Sequence, residues 1–284
     1  MSAPAHIGVL GGGRMGAGIA HAFLLAGSSV RVVERDQDSV NAAGERIRAS
    51  LEQSIQRGST TEPLTDLTHR LSLATRVEDF ADAALVVEAV PEELALKRDA
   101  LRRVEAVLPA GAALASNTSS MSIDALADEL ARPGRFLGLH FFNPVPASQL
   151  VEIVLGTSTD AALAADAIGW VEAIGKTPVT VHDAPGFASS RLGVALGLEA
   201  IRMLEEGVAS AEDIDAAMTL GYRHPVGPLR LTDLVGLDVR LGIAEYLHVR
   251  LGPRFEPPPL LRRLVAEGSL GRKSGQGFYT WADE

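Results

Sequence analysis

The chain has 284 residues, 46% of them hydrophobic and 22% charged, a balance that excludes a disordered polymer and is long enough for one large core or two modest ones. A formal net charge of −10 points away from nucleic acid and from anionic membrane surfaces, while leaving small anionic ligands open. The absence of cysteine excludes disulfides, thiolate catalysis and cysteine-ligated metals, and no metal site is expected.

A reducing cytoplasm is the expected compartment. The opening "MSAPAHIGVLGGG" shows no charged leader region before strand-like sequence, so no signal peptide is expected. The apolar runs are too short for a bilayer span. In chain order, "HIGVL" reads as a strand ended by glycines, and "GAGIAHAFLLAG" as a helix with Ile19, Phe23 and Leu24 at helical spacing. "SVRVVE" is a second strand. "DSVNAAGERIRASLEQSIQRG" is an amphipathic helix with Val40, Ile47, Leu51 and Ile55 on one face. "ALVVEAV" is a buried strand, "PEELALKRDALRRVEAVL" a helix with Pro91 near its first turn, and "GAALASN" another strand. This alternation predicts a parallel sheet covered by helices.

The rhythm then changes. "RFLGLHFF" and "LVEIV" are strands joined by "NPVPASQ", too short for a parallel crossover, so an antiparallel hairpin is expected. A helix over "DAALAADAIGWVEAIG" and a strand over "TPVTVHD" follow. Beyond "APGF" the pattern is helical: "FASSRLGVALGLEAIRMLEEG", "SAEDIDAAMTLG", "LRLTDLVGLDVRLGIAEYLHVRLG" and "PLLRRLVAEGSLG" each read as one helix. The expected boundary lies near Asp183, giving domains 1–183 and 184–284. No internal repeat appears.

Gly11, Gly13 and Gly16 form GxGxxG directly after a strand and at the start of a helix. Gly11 would permit the tight turn, Gly13 the approach of a pyrophosphate, and Gly16 close helix–strand packing. Arg14 and Met15 lie inside the same motif. The backbone N–H groups at the helix start face an anion. Glu34, about 20 residues on, can accept from an adenosine ribose and would repel a 2′-phosphate, so NAD is expected over NADP. The fold class is therefore α/β: a Rossmann-type N-terminal domain followed by an all-helical C-terminal domain.

If the hairpin is centred on Pro146, His140 and Glu152 are equidistant from its centre and fall opposite each other, with β-carbons about 5 Å apart. A carboxylate there would fix the imidazole tautomer and stabilise its protonated form. A lone strand histidine is more often structural, and these residues by themselves leave both readings open.

The stretches "IGVLGGGRMGAGIAHAFLLAG", "VVEAVPEELALKRDAL", "SNTSSMSI", "GLHFFNPVPASQLVEIV", "DAPGFASSRLG", "EDIDAAMTLGYRHPVGPLRLTDLVGLD" and "LGRKSGQGFY" together resemble the 3-hydroxyacyl-CoA dehydrogenase family over nearly the whole chain. The resemblance implies an NAD-dependent enzyme that interconverts (3S)-3-hydroxyacyl-CoA and 3-ketoacyl-CoA, a homodimer built through its helical domain. It implies His140 as general base oriented by Glu152, with Ser119 and Asn143 holding substrate and nicotinamide. Glu92 and Lys97 match positions on the nicotinamide side, Ser50 and Arg57 positions that meet CoA, and Lys273 a position that closes over the cofactor. On local grounds alone Ser119 could be a helix N-cap and Asn143 a turn residue, Glu92 and Lys97 solvated helix charges, and Arg57 an exposed helix end.

One position departs from the pattern: where the family carries Asn before the Arg of "GF…NR", this chain has Ser190. A hydroxyl can still donate, but across a longer gap, which opens the acyl preference. The implied pathway is fatty-acid β-oxidation or a dedicated route such as aromatic catabolism through 3-hydroxyadipyl-CoA. Two alternatives are a relative acting on a free hydroxy acid, of gulonate or carnitine type, and an NAD-binding protein without turnover.

Overall fold

The computed structural model describes residues 2–281, which divide into two compact units, up to Asp183 and from Ala184. The first unit begins with β1 (His6–Leu10), α1 (Arg14–Leu25), β2 (Ser29–Val33), α2 (Gln37–Gln56), α3 (Leu64–His69) and β3 (Leu71–Ala74). It continues through β4 (Leu85–Glu88), α4 (Leu94–Val107), β5 (Ala113–Ser116), α5 (Ile123–Ala127), β6 (Phe136–Phe141), β7 (Leu150–Leu155), α6 (Ala161–Ala173) and β8 (Thr177–His182). Among the described residues the strands form one sheet in the order β3-β2-β1-β4-β5-β6-β7-β8.

Strands β1 to β6 all run the same way, β7 turns back against β6, and β8 runs with β7. The strands β4, β5 and β6 are buried along their whole length, as a sheet covered on both faces requires. Asp36 starts α2 by accepting a hydrogen bond from the Ser39 N–H at 2.7 Å. The helix then buries Val40, Ala43, Ile47, Leu51 and Ser54 in a 3-4-4-3 rhythm. Ile47 and Leu51 are completely enclosed in the sheet core, where truncation to Ala costs about 2 to 5 kcal/mol.

Four elements of this unit differ from the sequence reading. β3 pairs with the outer edge of β2 and was not expected, because four residues, none of them buried and one a serine, carry no periodicity of their own. The short helices α3 and α5 escape detection for the same reason. α4 starts at Leu94, so Pro91 and Glu92 belong to the preceding loop rather than to the helix.

The second unit contains α7 (Ser189–Glu205), α8 (Ala211–Gly221), α9 (Pro228–Val235), α10 (Leu237–Leu251) and α11 (Pro259–Ala266). The expected single helix over 229–252 is two, broken at Gly236, whose φ of 106° no regular helix accepts. Their own core gathers Val194, Leu198, Ile201, Leu229, Leu237 and Leu247. Among the described residues no helix is long and apolar enough to cross a membrane.

Candidate active site

Parallel β1 to β6 deliver their C-terminal ends to one edge of the sheet, and strand order reverses between β1 and β4, the place where open α/β sheets bind ligands. The glycine turn leaves β1 at this edge. Gly11 has φ 92°, and a β-carbon there would lie 2.9 Å from the Ala89 carbonyl oxygen of the loop after β4. A β-carbon on Gly16 would lie 1.8 Å from the Gly11 carbonyl oxygen, so the first turn of α1 could not close. At Gly13 a β-carbon would meet nothing within 4 Å. That open side adjoins a cleft of about 930 Å³ whose lining includes Gly11, Gly13, Arg14, Met15 and Glu34.

No side chain caps α1, so its first N–H groups are left to an outside acceptor. Glu34 receives the Gly12 N–H at 2.7 Å and the Arg35 N–H at 3.1 Å, which fixes an acid at the end of β2. A volume of this size, a bare helix N-terminus and an acid at the second strand are what a dinucleotide needs. Arg46, which sequence reading passed over, also lines the cleft and donates to the Gly12 carbonyl at 3.4 Å.

Farther along the same edge, β6 and β7 pair with His140 opposite Glu152, the register that the Pro146-centred hairpin predicts. His140 Nδ1 stands 2.8 Å from Glu152 Oε2, and the two residues are 5% and 1% exposed. The imidazole also lies against Phe142, with ring centroids 4.4 Å apart. β6 is three strands from β1, about 14 Å across the sheet. Asn117 carries the loop after β5 to this point by accepting the Phe141 N–H at 2.9 Å.

Ser119 follows in that loop, half-buried, and its N–H donates to Glu92 at 3.1 Å. It is not a helix cap: that place belongs to Ser122, which accepts from the Ala125 N–H. Asn143 is exposed at the start of the hairpin loop, which Lys176 secures by donating to the Val145 and Ser148 carbonyls, each at 2.6 Å.

Lys97 is not a solvated helix charge, and Glu92, though exposed, is paired with it from the loop before α4. Lys97 is 1% exposed and donates to Glu88 at 2.6 Å, with Glu92 at 3.2 Å. Burial alone would raise the Glu92 carboxyl, but Lys97 and the Thr118 hydroxyl outweigh it and hold the group below its ordinary range. Glu88 is a further residue that sequence reading missed. Its signal is a lone acid closing the otherwise apolar "LVVE" strand, nine residues before a lysine.

Within the first unit the structure does not bring every expected residue to the cleft. Ser50 and Arg57 fall seven residues apart, on one face of α2 and its C-cap, and neither lines the cleft. In the second unit Ser190 lies in the first turn of α7, half-buried. Lys273 is held by Asp238, with 2.6 Å to each carboxylate oxygen.

Comparison with known proteins follows this anatomy. Residues 6–184 match the 3-hydroxyacyl-CoA dehydrogenase NAD binding domain, and residues 186–281 the C-terminal domain of the same family. The chain is 44% identical over 279 residues to a Mycobacterium tuberculosis 3-hydroxybutyryl-CoA dehydrogenase, covering 97% of this chain and 98% of that one. It is 38% identical over 285 residues to the mitochondrial hydroxyacyl-coenzyme A dehydrogenase of Sus scrofa, covering 97% and 91%. The crystal structure of (S)-3-hydroxybutyryl-CoA dehydrogenase PaaH1 from Ralstonia eutropha superposes with a TM-score of 0.94 at 37% identity, covering 99% of this chain and all of that one. With both of its domains matched and relatives aligned from end to end, the chain belongs to the 3-hydroxyacyl-CoA dehydrogenase family.

Proposed function

We propose that this protein is an NAD-dependent dehydrogenase that interconverts (3S)-3-hydroxyacyl-CoA and 3-ketoacyl-CoA, with His140 as general base and Glu152 as the residue that orients it. The observation that carries the reading is the buried His140–Glu152 pair at the same sheet edge as the glycine cleft. Oxidising a secondary alcohol removes a hydride from carbon and a proton from oxygen. Hydride acceptance is the chemistry that NAD supplies when bound. The proton is the chain's task. With Nδ1 donating to Glu152, Nε2 is the ring nitrogen assigned to take it, and the carboxylate stabilises the imidazolium that forms. In the reverse direction the same nitrogen returns the proton to the ketone oxygen.

The domain roles belong to the same reading. Residues 1–183 bind NAD, with Glu34 on the adenosine ribose and Glu92 and Lys97 on the nicotinamide side. Ser119 and Asn143 hold the substrate oxygen and the nicotinamide. Ser50 and Arg57 meet the CoA moiety, where a guanidinium suits phosphate. Residues 184–284 form the substrate and dimerisation domain, with Ser190 toward the substrate and Lys273 toward the cofactor. The homodimer is part of the same family reading, and Leu192, Leu220, Tyr222 and Val249, each more than two-thirds exposed, are apolar residues of this unit that a partner could cover. The setting is cytoplasmic, in keeping with a chain free of cysteine.

The test is a substrate panel followed by NADH absorbance: acetoacetyl-CoA, an adipyl-type ketoacyl-CoA, and free hydroxy acids. Turnover on the CoA esters is expected. Turnover confined to free hydroxy acids, or tight NADH binding with no turnover on any member, would overturn the reading.

A further inference from the structure

Glu88 is completely buried at the end of β4, yet it carries a carboxylate. Its Oε1 accepts from Lys97 Nζ at 2.6 Å and from the Val90 N–H at 2.7 Å, and its Oε2 accepts from the Ser116 hydroxyl at 2.6 Å. Burial pushes this carboxyl up, and those donors act against it. Lys97 makes a second bond to the Val90 carbonyl at 3.1 Å. Its remaining neighbour is Glu92, whose other oxygen accepts from the hydroxyls of Thr118 and Ser120 and from the Ser119 N–H.

Two carboxylates thus share one ammonium. Glu88 and Lys97 are sealed in, 0% and 1% exposed, whereas the Glu92 side chain is 39% exposed. If Lys97 served only to neutralise Glu92, the position of Glu88 could be apolar like the Leu85–Val87 run before it. A buried acid at that point has a different effect: it takes up the lysine's charge from the closed side.

We propose that Glu88 is a positioning residue that, by sharing Lys97 from within, leaves the cluster of two carboxylates and one ammonium with a net negative charge, carried on the open side by Glu92, where it favours the cationic nicotinamide of oxidised NAD over the uncharged ring of NADH. The inference rests on the reading of Glu92 as a nicotinamide-side residue. Because the two cofactor forms differ in charge at the ring, such a field shifts the balance between them on the protein, which a group binding both equally cannot do.

The test measures equilibrium dissociation constants for NAD and NADH separately, by calorimetry and by NADH fluorescence. Glu88→Gln removes one charge and is expected to raise the NAD constant about tenfold with little change for NADH. Glu88→Gln combined with Lys97→Met removes the buried pair, leaves Glu92 charged, and is expected to restore the preference for NAD. The double variant leaves no unpaired buried charge, whereas the single one strands the Lys97 ammonium, so the double variant carries the test even if the single one does not fold. Glu92→Gln is expected to lose the preference as Glu88→Gln does. Equal weakening of both cofactors in Glu88→Gln, or no restoration in the double variant, would overturn the proposal. An effect of Glu92→Gln without one of Glu88→Gln would overturn it while sparing the placement of Glu92, and silence from both would remove that placement as well.

Discussion

Glu152 in the first unit and Asp233 in the second are each 1% exposed, and these two carboxylates have different partners. Asp233, 1% exposed in the second unit, accepts from the Phe278 and Tyr279 N–H groups at 2.9 Å and from the Trp281 indole at 2.8 Å. Asp215 adds the Leu229 and Arg230 N–H groups and the Tyr279 hydroxyl. Together they fasten the chain after Gly271 onto α8 and α9. A β-carbon on Gly277 would lie 2.3 Å from Asp233 Oδ1, so the tail approaches that closely only as glycine. Glu152, also 1% exposed, faces an imidazole instead. Backbone and indole donors keep their protons at any working pH, so Asp233 can only hold. An imidazole exchanges its proton, so Glu152 can support chemistry. Burial is common to both, and the donor decides the role.

Substitutions should separate the two. The larger effect of this pair is expected in Glu152→Gln, where kcat falls by about 10² to 10³ with NADH affinity retained, since the amide no longer supports an imidazolium. Steady-state kinetics beside NADH titration check this. Asp233→Asn should do the reverse: kcat per folded molecule stays, while denaturant unfolding shows a loss of about 3 kcal/mol, because an amide NH₂ then faces groups that only donate.

His21 sharpens the same contrast from the imidazole side. It is buried with Nε2 on the Ser54 hydroxyl at 2.8 Å, and among the described residues no carboxylate pairs with it. Burial, helped by the nearby Lys176 charge, lowers its pKa to about 4. The unfolded chain takes up this proton near pH 6.5, and the folded one only near pH 4. Stability is therefore lost as pH falls through that window, by at most about 3 kcal/mol. His21→Gln should flatten this part of the stability–pH curve, measured by urea unfolding at a series of pH values.

Much of the site could be read from local rules. The glycine spacing with Glu34 depends on backbone sterics over a few residues, and the pairing of His140 with Glu152 follows from counting out from Pro146. What stayed hidden depends on distant neighbours. β3 exists because β2 offers it an edge, and Gly236 interrupts an apolar rhythm that continues unbroken on either side. Lys97 reads as solvent-facing because a lysine is seldom buried without a partner, and that partner, Glu88, sits on another element. Its own clue, an acid in an all-apolar strand, acquires meaning only when β4 and α4 are seen together.

The central claim is that His140 receives the alcohol proton. The most direct measurement is the pH dependence of kcat/KM for 3-hydroxybutyryl-CoA oxidation in the unaltered protein and in His140→Gln. A single-proton inflection is expected in the former and none in the latter, whose residual rate is depressed by about 10³ or more. The same inflection persisting in the variant, or near-normal turnover, would contradict the assignment.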